Sequence, residues 1–206
     1  MLAIDSFRTN ISRARELGEL YNALSAITTS ALSTNDLLRS QIVMSISAMD
    51  HYIHEVVRQG MVAIYEGSRP TVPGFSKFQV SLSEAKSSIP SMSSAWVDSA
   101  IRQSHSFLSF QHPDKLADAI RLIHSDAIRL IHSDPIWPVL EIRMAMPAKD
   151  LKEQLKLIVD RRNKIAHEAD VDPSYPGMRW PITYHDSSST TDFLENLVEA
   201  IDAEVK

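Results

Sequence analysis

Apolar residues recur at steps of three and four over residues 3–31, as they do on one face of an amphipathic helix. The members of this series are Phe7, Ile11, Ala14, Leu17, Tyr21, Leu24 and Ile27. The segment STND at 33–36 supplies cap residues, and the apolar run after it predicts a second helix that ends near Gly67. We expect these two helices to pack as an antiparallel pair.

The segment 67–93 interrupts this helical pattern, because it is rich in proline, glycine and serine. It predicts an irregular loop that could hold one short helix at LSEAKSS. Helical periodicity resumes at 94–109 and starts again from Pro113, which suits a first helical turn. Pro135 and Pro138 are then expected to break the chain.

Two more helices are expected in the last third of the chain. One begins at Pro147 and ends at about His167, before the segment VDP, and the other is capped by the serines and threonines at 187–191. The 206 residues include only five glycines, too few for a turn-rich β-sandwich or barrel. The sequence therefore predicts an all-α bundle of about five to six helices in one domain, 1–206.

The octapeptide DAIRLIHS occurs twice in succession, at 118–125 and at 126–133. A step of eight residues turns a helix by about 80°, so the two copies cannot present the same face. An apolar series still runs through the duplication at helical steps, and one extended helix could absorb it. We expect a tandem duplication without a functional role for His124 or His132.

Composition and charge exclude several classes of function. The chain has no cysteine, which rules out disulfides, thiolate metal sites and a cysteine nucleophile. With 21 Lys plus Arg against 26 Asp plus Glu, it lacks the basic excess typical of nucleic-acid-binding proteins. It has neither a signal-like start nor an apolar run of about 18 residues, so we expect a soluble cytoplasmic protein without membrane contact.

Few of the other patterns indicate a site. His51 and His54 are three apart on the second helix and could share a face, but no HExxH spacing or further ligand accompanies them. They are better explained as hydrogen-bonded, partly buried histidines. Phosphate-binding glycine loops are also missing from the sequence. We therefore expect neither a metal nor a cofactor.

The segment RRNKIAHEAD at 161–170 is the strongest candidate site. Leu151, Leu155 and Ile158 form a buried stripe, and Arg162 is the next member of that series. An inward-facing guanidinium needs an anion, because an unpaired buried charge is costly. That anion could be a carboxylate on the first or second helix, or a substrate phosphate held by the planar guanidinium.

Two further polar residues follow Arg162. Asn163 and His167 are four apart on one face, where the amide could fix the imidazole tautomer. Arg162 and His167 are five apart, or about 140° around a continuous helix. Either the helix opens at its last turn, or two copies of the segment face each other across a two-fold axis. We favour the second alternative.

Basic residues accompany the segment and could contact RNA. Arg161, Lys164 and Lys156, with two lysines nearer the start of the helix, give it a basic surface that the net charge hides. An ordinary solvated face explains these lysines equally well.

The segment resembles the motif of the HEPN superfamily, an Arg and a His separated by four to six residues with a polar residue after the Arg. Arg162, Asn163 and His167 match it, and together with the AMDHYIHEVV helix the chain looks most like the RiboL-PSP-HEPN subgroup. The resemblance implies a two-fold symmetric homodimer and, in many members, a metal-independent endoribonuclease. In such an enzyme Arg162 and His167 would be the catalytic pair and Asn163 an auxiliary residue.

The residue types agree with this chemistry, since RNA supplies its own nucleophile, the 2′-OH. A histidine can transfer the proton at neutral pH and an arginine can stabilise the phosphorane. We expect 2′,3′-cyclic phosphate and 5′-OH ends, in a stress, defence or RNA-processing context. A protein encoded nearby, an antitoxin or RNA-repair component, is an expected partner. Ala169 replaces the tyrosine of toxins paired with a nucleotidyltransferase, which counts against that role.

The alternative is a HEPN-like module without catalysis, which binds a nucleotide, RNA or a partner protein through Arg162.

Overall fold

The computed structural model describes residues 2–29, 32–83, 86, 93–124, 136–175 and 177–206. These residues form eight helices: α1 (Ala3–Ile27), α2 (Asn35–Tyr65), α3 (Pro73–Ser76), α4 (Ala95–His105), α5 (Pro113–Ile120), α6 (Trp137–Met144), α7 (Ala148–His167) and α8 (Tyr184–Val205). The predicted all-α class is confirmed. Within the described residues no helix is long and apolar enough to span a membrane.

Helix α2 is the centre of the bundle and packs against α1, α4, α5, α7 and α8. Helices α1 and α2 run antiparallel, as predicted, because each end of α1 meets the opposite end of α2. The Ala3 amide donates to Gln59 Oε1 at 3.3 Å, and the Ser25 and Thr34 hydroxyls lie 3.0 Å apart at the other end.

The last helix begins earlier than predicted. Thr183, not the serines and threonines at 187–191, caps α8: its hydroxyl accepts from the Asp186 amide, and the Asp186 carboxylate accepts from the Thr183 amide. Thr191 lies inside the helix and is buried. Its hydroxyl bonds to Gln41 and Ser45 of α2, so this polar residue joins two helices in the interior.

The expected number of five to six helices is too low, because two short helices were missed. Helix α3 lies in the predicted irregular segment 67–93, and α6 begins at Trp137 where a break was expected. Pro138 is the second residue of α6, a position whose amide needs no helical partner. A proline here starts a helix instead of interrupting one. The short helix expected at LSEAKSS falls largely outside the described residues.

The duplicated octapeptide does not continue one long helix. Helix α5 ends at Ile120, within the first copy, and Ile123 is buried in the turn that follows. His124 lies 3.7 Å from the Glu204 carboxylate on α8. The second copy, including His132, and Pro135 lie outside the described residues.

Candidate active site at the end of helix α7

Helix α7 has the predicted register. Leu151, Leu155 and Ile158 are buried against the bundle, and Arg162 continues their stripe. Arg162 is only half-buried, because it lies one turn beyond the last fully packed residues of α7. The arginine therefore occupies the bundle side of the helix and still reaches solvent.

The Asn163 side chain is hydrogen-bonded to the Arg162 guanidinium, not to His167 as expected. Its side-chain oxygen accepts from Arg162 Nη1 at 2.9 Å. His167 is exposed on the last turn. The Asn163 amide thus holds the Arg162 guanidinium in place, and the His167 imidazole is accessible to another molecule.

The helix stays closed up to His167. The Glu168 amide still donates to the Lys164 carbonyl at 3.0 Å, the bond of a regular α-helix. This excludes the alternative in which the helix opens at its last turn. Arg162 and His167 of one copy therefore lie about 140° apart around the helix.

The chain turns sharply after the helix at Ala169 and Asp170, which both have a positive φ, 51° and 57°. The Asp170 side chain is completely buried by this turn. Its Oδ2 atom accepts from Arg39 Nε of α2 at 2.7 Å and from Arg161 Nη2 at 2.8 Å. An internal salt bridge is thus made by Arg161 instead of Arg162, and its carboxylate follows α7 instead of lying on the first or second helix.

Two of the three residues expected to contact RNA are turned toward the segment 170–181. Arg161 also donates to the Pro181 carbonyl at 3.2 Å, and its partial burial lowers the pKa of the guanidinium. The ammonium of Lys164 lies 5.2 Å from the centre of the Trp180 ring. Lys156, the third, is exposed and lies within about 20° of His167 around the helix.

A groove lies between the start of α2 and the end of α7, with a volume of about 400 Å³. Its lining residues are Asp36, Arg39, Ser40, Val43, Met44, Ile165, Ala169 and Arg179. Ile165 is three residues after Arg162, so the groove lies on the arginine's side of α7. The sequence did not predict this groove, because its lining comes from three segments that are distant in the chain. The arginine within the apolar start of α2 was the one available signal.

A second polar cluster lies at α2 and α4, away from this site. His54 is within 3.9 Å of the Asp50 carboxylate and stacks at a tilt on the Phe110 ring. His105 is buried beside it, and burial lowers the pKa of its imidazole. Among the described residues, no three His, Asp or Glu side chains are arranged to hold a metal ion.

Comparison with known proteins adds one match. The profile of the RiboL-PSP-HEPN family matches residues 8–206, which include the whole of α7 and the turn after it. No curated protein and no solved structure matches the chain.

Proposed function

The chain belongs to the RiboL-PSP-HEPN family, and on this premise we propose that it is a metal-independent endoribonuclease. HEPN proteins are generally ribonuclease-like. Arg162 and His167 are the proposed catalytic residues, with Asn163 in support. The proposed setting is stress, defence or RNA processing in the cytoplasm, with a protein encoded nearby as partner.

One observation carries the proposal: among the described residues Arg162, unlike its neighbour Arg161, has no carboxylate as a partner. Arg161 and Arg39 both pair with buried Asp170. In the described part of the chain no carboxylate pairs with Arg162, whose guanidinium contacts the neutral amide of Asn163. A half-exposed guanidinium held in place by an amide is suited to bind a phosphate.

The proposed reaction follows from these residue types. The 2′-oxygen of RNA attacks the adjacent phosphorus, the bond from phosphorus to the 5′-oxygen breaks, and a 2′,3′-cyclic phosphate and a 5′-OH form. An imidazole can accept the proton of the 2′-OH, and a protonated imidazole can give one to the 5′-oxygen as its bond to phosphorus breaks, since histidine titrates near neutral pH. The arginine stabilises the charge that accumulates on the phosphorane oxygens.

A homodimer would direct one Arg162 and one His167 at the same phosphate. Arg162 and His167 diverge on an unbroken helix, so one copy does not direct both at one phosphate. A two-fold axis beside the end of α7 would place Arg162 of one copy opposite His167 of the other. Lys156, which shares the face of His167, is then the best placed of the three basic residues to contact the RNA strand. Lys164 would contribute from the neighbouring face, whereas Arg161, which is paired with Asp170, would contribute only its positive charge.

Cleavage of a structured RNA in excess EDTA tests the proposal. The wild-type protein should cut the RNA and leave cyclic phosphate ends, whereas His167→Ala should lose the activity with an unchanged melting temperature and mass in solution. The matched control is His185→Ala, another exposed histidine, which should cut normally. A well-folded dimer that cuts none of several RNAs would favour the alternative, a module that binds without catalysis.

A further inference from the structure

The groove between α2 and α7 is lined by apolar residues, here called its floor, and by charged residues, here called its rim. Val43 and Ile165 form part of the floor, and Met44 is 40% exposed at its edge. Methionine side chains adapt to flat aromatic surfaces and make favourable sulfur contacts with them. The floor is therefore suited to the face of a planar ring.

The rim belongs to a chain of five ionic groups. Arg179 pairs with Asp36, which lies 3.5 Å from Arg39, and Arg39 and Arg161 share the carboxylate of Asp170. Three guanidiniums thus face two carboxylates, which leaves one positive charge in excess. Arg39 is 6% exposed, so its own charge is partly outside the screening of water, whereas the Arg179 side chain is 46% exposed. An anion in the groove would complete the network.

We propose that this groove binds one nucleotide of the RNA strand, with the base on Met44, Val43 and Ile165 and the phosphate on the exposed Arg179, beside the buried charge of Arg39. A nucleotide combines a planar apolar face with an anion, as the floor and the rim require. A volume of about 400 Å³ is within the usual range for small-molecule sites. The inference rests on the proposed function, because it assigns the groove to the strand that Arg162 contacts.

Binding of adenosine 5′-monophosphate in EDTA, measured by calorimetry, tests the groove without cleavage. Adenosine and inorganic phosphate are the comparison ligands, and each should bind at least about tenfold more weakly than the nucleotide, since each lacks half of the contacts. Met44→Glu and Arg179→Ala should each weaken nucleotide binding by about tenfold or more. Both side chains are exposed, so both variants should fold.

Each variant has a matched control. For Met44→Glu the control is Leu157→Glu, which places the same charge at an exposed apolar position of α7 that does not line the groove. For Arg179→Ala the control is Arg8→Ala, which removes an exposed arginine that pairs with Glu199. Both controls should bind the nucleotide normally. Full affinity in Met44→Glu and Arg179→Ala would overturn the inference. So would dissociation of a dimer by Met44→Glu, which would show that a second copy covers the groove.

The two proposals fail differently. Nucleotide binding that depends on Met44 and Arg179, in a protein that cuts no RNA, would support nucleotide binding in the groove and reject the proposed nuclease activity. RNA cleavage with no measurable nucleotide binding would support the nuclease activity and reject the groove as a nucleotide site.

Discussion

At the scale of single residues, Asp170 is the structural anchor of the candidate site. It is buried and accepts hydrogen bonds from guanidiniums on both α2 and α7. Its amide donates to the Lys164 carbonyl and its carbonyl accepts from the Trp180 amide, both within 3.0 Å. These bonds fix the end of α7 against α2, and with it the positions of Arg162 and His167.

Asp170→Asn should therefore lower the free energy of unfolding by about 3 kcal/mol, because it leaves two guanidiniums without their shared charge. Denaturant unfolding measures the loss. The matched control is Asp36→Asn, which also removes an aspartate beside Arg39 but at an exposed position. An exposed ion pair contributes about 1 kcal/mol or less. Equal losses in the two variants would show that burial of Asp170 contributes nothing extra.

The sequence predicted the register of Arg162 but not the role of Asp170. Apolar spacing places Leu155, Ile158 and Arg162 on one stripe, because a helix repeats every 3.6 residues. The burial of Asp170 depends on two consecutive positive φ angles at alanine and aspartate, which local preference disfavours. It also depends on Arg39, 131 residues away. Neither condition leaves a periodic signal in the sequence.

At the scale of elements, all the long helices were predictable, whereas two of the short ones, α3 and α6, were not. Helices α1, α2, α7 and α8 are each five turns long or more and carry a buried stripe, so their periodicity is clear. Helices α3 and α6 have four and eight residues. Tertiary packing decides such short helices: Trp137 and Leu140 of α6 are fully buried.

The attachment of α4 to α2 is expected to weaken in acid. His105, the last residue of α4, packs edge-on against the rings of His54, Phe78 and Phe110. Burial and the neighbouring His54 lower its pKa, so the unfolded chain binds this proton more readily than the folded protein does. Stability should therefore fall as the pH drops below about 6.5, by at most about 1.4 kcal/mol per pH unit for this one group.

Unfolding in urea at pH 7.5 and pH 5.5 measures this effect. His105→Gln should reduce the loss of stability between the two pH values, since glutamine does not titrate. Substitution of the exposed His185 by glutamine is the control and should leave the loss unchanged. The same loss in His105→Gln as in the wild type would assign it to other groups.

At the scale of the whole molecule, the charge of the chain hides its candidate functional surface. The chain carries five more acidic than basic residues, which argued against contact with RNA. The structure shows how positive charge concentrates locally: arginines outnumber carboxylates in the network around Asp170, and Arg162 adds another guanidinium nearby. A net charge averages over such clusters, so it was a weak guide here.

A composite site across a dimer makes a prediction that a site within one copy does not. Arg162→Ala and His167→Ala should each be inactive alone, because each removes a catalytic group from both sites. After subunit exchange at equal amounts, half of the molecules are mixed dimers, and each contains one site with Arg162 from one copy and His167 from the other. RNA cleavage should then return to about a quarter of the wild-type rate.

A site contained within one copy would stay inactive in the same mixture, because every copy lacks one of the two groups. Mass measurement must show that the subunits have exchanged, and a mixture of wild type with wild type sets the full rate. Exchange without recovered cleavage would reject the shared site while leaving the family assignment intact. Recovery would explain why an unbroken helix carries Arg162 and His167 on different faces, because each site would combine Arg162 of one copy with His167 of the other.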